Sequence, residues 1–182
     1  MSRIILETER LLLRPPERSD VPVFAPLIGD FDVAKNLSTV PHPYAVAHGE
    51  EFVARVEQQR STGTDFNFAI TRKSDKAYMG GCGLHLKEGK FEFGYWLGKP
   101  FWKHGFATEA ATRLLLFAFH ELNADSVWAG WYFDNPASGH VLEKLGCTPN
   151  GMDKRACMAR GADVDCNLVI LARNEFFARR VA

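Results

Sequence analysis

The chain has 182 residues, 46% hydrophobic and 24% charged, with 22 Lys and Arg against 22 Asp and Glu. That length suits one domain of roughly 100–200 residues, and zero formal charge leaves no global field to draw a nucleic acid or an anionic membrane. No run approaches the ~18 apolar residues of a membrane helix, and the N-terminus lacks a signal-like apolar stretch.

Cys82, Cys147, Cys157 and Cys166 are widely spaced and fit no CxxC metal or redox pattern. Reduced thiols in a cytoplasmic protein with no metal site are expected. Glu7 to Arg14 reads as a first strand, stopped by Pro15 and Pro16, which have no N–H for a ladder. Ser19 and Asp20 can cap a short helix over Val21 to Ile28. Pro41 to Tyr44 is a rigid loop, after which Ala47, Val53 and Val56 place a helix reaching Arg60.

Asp65 to Thr71 alternates, with Phe66, Phe68 and Ile70 on one face, and Ala77 to Leu86 is a second strand. Lys87 to Lys90 reads as a hairpin turn into a third strand, Phe91 to Leu97. The period then changes: Ala107, Ala110, Ala111, Leu114, Leu115, Ala118 and Leu122 recur at helical spacing. Ser126 to Trp131 is another strand. Asn135 and Pro136 open a helix that buries Val141, Leu142 and Leu145 and stops at Gly146. Strand-like segments near Arg155 to Met158 and Val164 to Ala172 close the chain. The order predicts an α/β (α+β) domain with a mixed, mostly antiparallel sheet of about seven strands and helices on both faces.

The segment from Gly94 to Ala110 carries the chemistry. A strand ends, a short loop follows, and a helix opens at Gly105-Phe106-Ala107. Helix N-termini present unpaired N–H groups and partial positive charge, so they bind phosphate. Gly105 lets the backbone approach a diphosphate, Ala107 does not obstruct it, and Lys103 and His104 add charge. The same string also suits a plain loop entering a helix. There is no Gly-Lys-Ser/Thr of a P-loop and no early GxGxxG.

The run Trp102-Lys103-His104-Gly105-Phe106-Ala107 resembles motif A of the GNAT acetyltransferases, Gln/Arg-x-x-Gly-x-Gly/Ala, with Trp in the first position. That departure is itself similar to the ribosomal-protein-alanine acetyltransferase-like branch. Asn135, Ser138, Val141, Lys144, Gly146 and Cys147 match that branch's Asn-x-x-Ser-x-x-Val-x-x-Lys-x-Gly-Phe/Cys helix, and Thr8 to Arg14 matches a third signature. The likeness spans Leu6 to Arg173, so residues 1–182 are taken as a single N-acetyltransferase domain.

The resemblance implies that acetyl-CoA donates its acetyl group to a primary amine by direct attack in a ternary complex. The acceptor would be a protein N-terminal α-amine or a small-molecule amine. Tyr95, Trp96 and Leu97 would supply an open strand edge for the cofactor arm and an oxyanion donor. Lys103, His104, Gly105, Phe106, Ala107 and Thr108 would cradle the pyrophosphate, with Asn135 and Ser138 on the arm. Lys144 would reach the phosphates or simply be solvated. The family's general-acid Tyr, seven residues after Asn135, is Leu142 here. Ser138 is the implied substitute, hydrogen-bonding the departing thiolate, and Glu92 is a candidate base acting through water. A Glu that some members carry in a late strand falls at Cys157. His42, His85, His120 and His140 have no partner visible in the sequence and are read as structural or exposed.

About one Lys side chain in 2,500 is neutral at pH 7, against about a tenth of α-amines, which favours α-amine acceptors. Acceptor choice is assigned to Val33–Arg60 and to a loop over Met152–Asp165. A non-catalytic acetyl-CoA-binding module and a homodimer are left open.

Overall fold

The computed structural model describes residues 4–59 and 62–181. Among these residues eight strands form one sheet in the order β1-β2-β3-β4-β5-β6-β8-β7. They are β1 (Leu6–Glu7), β2 (Leu11–Arg14), β3 (Asp65–Arg72), β4 (Tyr78–Lys87), β5 (Lys90–Leu97), β6 (Ser126–Tyr132), β7 (Thr148–Cys157) and β8 (Ala162–Ala172). Every neighbouring pair is antiparallel except β5 and β6. The helices are α1 (Val21–Gly29), α2 (Phe31–Ala34), α3 (Val46–Gln59), α4 (Phe106–His120), α5 (Pro136–Leu145) and α6 (Arg173–Val181). None of the described helices is long and apolar enough to cross a membrane.

The eighth strand arises at the N-terminus. The predicted single strand Glu7 to Arg14 is broken by a turn in which Thr8 N–H donates to Leu11 O at 3.0 Å and Leu11 N–H to Thr8 Oγ1 at 2.8 Å. Hydroxyl side chains bonding nearby backbone compete with ladder pairing, and two short strands replace one. Asp20 does not cap α1 with its side chain. Its carboxylate instead accepts two bonds from the Arg14 guanidinium, both 2.7 Å, and one from Glu17 N–H. The turn between β4 and β5 is as expected: Glu88 and Gly89 both take positive φ, the signature of a tight two-residue hairpin.

Alternation along the strands divides the apolar residues between two layers. Leu11, Leu13, Phe68, Ile70, Leu84, Phe93 and Val127 face α4, α5 and α6, which contribute Leu114, Leu115, Phe117, Leu142 and Phe176. On the other face Ala69, Tyr78 and Trp96 meet Val21, Phe24 and Val53 of α1 and α3. Helices thus cover both faces, as the sequence pattern implied. Arg60, the expected end of the third helix, lies outside the described residues. The expected loop Met152–Asp165 is instead the hairpin of β7 and β8, turned at Gly161 in a left-handed conformation, φ 64°.

Candidate active site

The parallel junction of β5 with β6 holds only the pairs Phe91 with Val127 and Glu92 with Trp128. Beyond them the strands separate and leave a wedge. Gly98 N–H donates to Met79 O at 2.9 Å, which fixes the alternation of the antiparallel β4–β5 ladder. Gly94 and Trp96 commit their main chain to Gly83 and Gly81 of β4, whereas Tyr95 and Leu97 turn theirs into the wedge. The indole N–H of Trp102 donates to Leu97 O at 2.7 Å, so the Trp at the first motif position fixes the loop that leaves the wedge.

That loop delivers the chain to α4. Gly105 is the N-cap, left-handed at φ 79° with no side-chain cap, and Lys103 precedes it at φ 64°. The first-turn amides of Phe106, Ala107 and Thr108 are therefore presented without a capping side chain, and the helix dipole adds positive character there. Arg10 Nη1 donates to His104 O at 3.1 Å, and the guanidinium stacks 4.4 Å over the Phe106 ring. Glu109 clamps the β1–β2 turn by accepting from Thr8 Oγ1 at 2.5 Å, Arg10 N at 3.0 Å and Arg10 Nε at 2.6 Å. A cleft of about 610 Å³ borders this end of α4, lined by Gly105, Thr108, Arg113 and Lys144 among others.

Across the wedge, Asn135 caps α5 by accepting from Ser138 N at 3.3 Å. Ser138 Oγ lies 2.9 Å from Tyr95 Oη. Burial pushes the Tyr95 phenol up to about 12 against the opposing effect of the Ser138 hydrogen bond, so Tyr95 is a neutral donor at physiological pH. The structure thus joins Tyr95, implied for its backbone, to Ser138 through its side chain.

On the other face lies a larger cavity, about 930 Å³, bounded by Leu37–Pro41, Tyr44, α3, the faces of β3 to β5, Arg155 and Met158. Its rim is tied across the sheet: Met158 N–H donates to Ser38 O at 3.1 Å and Arg160 Nε to Lys35 O at 2.8 Å. Glu92 sits in this cavity, ion-paired to Arg155 and, at 2.9 Å, to Lys87. Burial would raise its carboxyl, but the bonds from Arg155 and Lys87 outweigh burial and hold it below the ordinary range. Cys157, buried, faces the carbonyls of Lys35 and Leu37. Its thiol is therefore turned toward main-chain acceptors that hold the cavity rim. His85 is paired after all: Nδ1 lies 2.7 Å from Asp65 Oδ1.

The family model described as an acetyltransferase (GNAT) domain matches residues 10–148, well over half of the chain. The chain belongs to the GNAT acetyltransferase family. A relative named as the uncharacterized N-acetyltransferase p20 of Bacillus licheniformis is 28% identical over 94% of this chain and 97% of its own. A GNAT acetyltransferase structure from Bacillus anthracis superposes with a TM-score of 0.82 at 22% identity, covering 94% of this chain and all of that one. RimL, a ribosomal L7/L12 alpha-N-protein acetyltransferase solved in complex with coenzyme A, gives a TM-score of 0.80 at 19% identity over 93% and 98% of the two chains. The protein is accordingly an acetyl-CoA-dependent acetyltransferase.

Within this GNAT domain the implied cofactor residues sit on the β5 edge, the loop after it, the N-terminus of α4 and the start of α5, where Ser138 meets Tyr95. Trp96 is the exception, because its amide is spent on β4 and its side chain joins the apolar layer under α1. Thr8, Arg10 and Glu109 escape a reading by local spacing, since they meet across 99 or more positions. The Asp65–His85 pair was in principle legible, because cross-strand partners follow from hairpin register.

Proposed function

We propose that the wedge between β5 and β6, with the uncapped N-terminus of α4 at its end, is the acetyl-CoA site of an amine N-acetyltransferase. One observation carries this: the β5–β6 ladder stops after two residue pairs, beside a helix start closed by a left-handed glycine. The amides of Phe106, Ala107 and Thr108, with Lys103 and His104, would take the diphosphate, Lys144 lying on the adjoining cleft. The main-chain groups of Tyr95 and the Leu97 N–H would pair with the amide-bearing arm, the Leu97 carbonyl already accepting from Trp102, and an N–H there would meet the thioester oxygen as negative charge grows on it. Asn135 and Ser138 would flank the arm from α5. Ser138, bonded to the Tyr95 phenol, would donate to the departing sulfur in place of the missing Tyr.

The cavity on the α1–α3 face would receive the amine, next to the thioester but on the opposite side of the sheet from α4. A protein N-terminal amine is the acceptor class favoured here. Amine basicity supports it, as does the likeness of the Asn135–Cys147 helix to the ribosomal-protein-alanine acetyltransferase branch. The fold neighbour RimL bears an alpha-N-protein acetyltransferase title.

The decisive test incubates the protein with acetyl-CoA and a panel of Ala- and Ser-initiated peptides, amino-acid amides and polyamines, following acetyl adducts by mass spectrometry. Turnover on peptides is expected. Binding of acetyl-CoA with no adduct on any amine would instead indicate a binding module.

A further inference from the structure

The cavity floor is built from glycine. Register places three cross-strand rows on that face: Ala69, Gly81 and Trp96; then Asn67, Gly83 and Gly94; then Asp65, His85 and Glu92. The middle row has no side chain on β4 or β5. A methyl group on Gly94 would meet nothing within 4 Å, so this patch is open space at the level of the sheet. It is also the last row before Tyr95, where the main chain turns into the wedge.

His85 leans over the patch. A methyl group on Gly83 would stand 3.3 Å from His85 Nε2 and 2.9 Å from Asn67 Oδ1. The ring is held from the other side by Asp65, whose second oxygen accepts from Thr64 Oγ1 at 3.0 Å. A carboxylate only accepts, so Nδ1 carries the proton of the pair, and Nε2 is the ring atom that faces the glycine floor; in the neutral ring it is Nε2 that holds the lone pair. This is the arrangement of a base fixed by an orienting carboxylate. Glu92, the base candidate from sequence, lies in the same row with its oxygens committed to Arg155 and Lys87.

We propose that His85, oriented by Asp65, is the general base of the acetyl transfer, taking its proton from an acceptor amine that lies over Gly83 and Gly94. The inference rests on the acetyl-CoA site proposed above. The acceptor arrives as an ammonium ion, and one N–H bond breaks as its proton moves to Nε2. The freed nitrogen lone pair forms the N–C bond to the thioester carbonyl carbon. The C–S bond breaks with its electron pair on sulfur, and the second nitrogen proton ends on the thiolate through the Ser138–Tyr95 hydroxyls or water. The imidazolium returns its proton to solvent. Proton transfer to an imidazole is nearly matched for an α-ammonium and steeply uphill for a Lys-type one, so the base suits the acceptor class proposed above.

The test uses His85→Gln, which keeps the size and a hydrogen bond to Asp65 but takes no proton, assayed with acetyl-CoA and the fastest amine of the panel. General-base loss predicts kcat lower by about 100-fold or more, with acetyl-CoA affinity by calorimetry unchanged. His85→Ala is expected to regain activity when imidazole is added. A kcat for His85→Gln within about threefold of the parent, or no imidazole rescue of His85→Ala, overturns the assignment and leaves the cofactor site standing. A wild-type protein that binds acetyl-CoA yet acetylates no amine overturns both.

Discussion

Gly105 answers two demands at one position. Its φ of 79° is one that L residues adopt at a cost of about 1–2 kcal/mol, and it opens the helix whose first amides face the proposed diphosphate. Gly105→Glu adds a like charge at that point and is expected to weaken acetyl-CoA binding about 100-fold, read by calorimetry on folded protein. Unchanged affinity would move the phosphates elsewhere. Ser138→Ala tests a different step. Tyr95 Oη keeps the Ser138 carbonyl at 3.3 Å, so the phenol stays in place while the donor to sulfur is lost. Turnover should fall about tenfold, the equivalent of one hydrogen bond of ~1.4 kcal/mol, with acetyl-CoA affinity unaltered. A kcat equal to wild type would remove Ser138 from catalysis. At this scale the sequence spoke through motif and capping chemistry, which are local: Gly105 and Asn135 stand where spacing put them. His85 was read as unpartnered because its partner, Asp65, lies twenty positions away and is brought there by strand register alone.

Among the elements, α4 depends on a contact no helical pattern encodes. The β1–β2 turn is fastened to its first turn through Glu109, with Arg10 half exposed and Glu109 largely covered. Burial would raise the Glu109 carboxyl, but bonds from the Thr8 hydroxyl, the Arg10 amide and the Arg10 side chain outweigh it and leave it lowered. A carboxyl lowered on folding stabilises fully above its unfolded value of about 4.3 and loses that contribution as pH falls through its folded value. Glu109→Gln should therefore lower Tm at pH 7 by about 2–4 °C, for roughly 1 kcal/mol. It should also lessen the fall in Tm between pH 5 and 3, both followed by thermal denaturation; parallel pH profiles would contradict the assignment. The strongly periodic helices and the meander were visible from residue pattern. The split of the first strand was hidden because it turns on one hydroxyl, Thr8. Helix α6 was missed because its sequence is mostly polar and its buried anchor, Phe176, packs on Phe119 at 5.1 Å, a tertiary contact.

At the scale of the whole molecule, acetyl-CoA bound at a hundred times its Kd contributes about 2.7 kcal/mol to stability. That corresponds to a rise in Tm of about 5–10 °C for a chain of this size, measurable by scanning fluorimetry; coenzyme without any rise would argue against the site. The order of layers followed from alternation and helical period, and the comparison with GNAT structures agrees with it. The wedge was expected only through the family resemblance, as an open edge at Tyr95 to Leu97; residue pattern alone did not carry it, because neither β5 nor β6 contains a proline that would end pairing.

The separation of β5 from β6 has a mechanical consequence. Among the described residues five strands form one plate and three the other, and the parallel ladder that forms the seam between them has two rungs. Torsion between the plates concentrates at that seam, and α4 and α5, packed on each other and against the strands beside it, supply the restoring stiffness. Anything held in the seam is gripped by both plates at once, so a packing change in the core beneath those helices would alter the grip without touching a single contact residue.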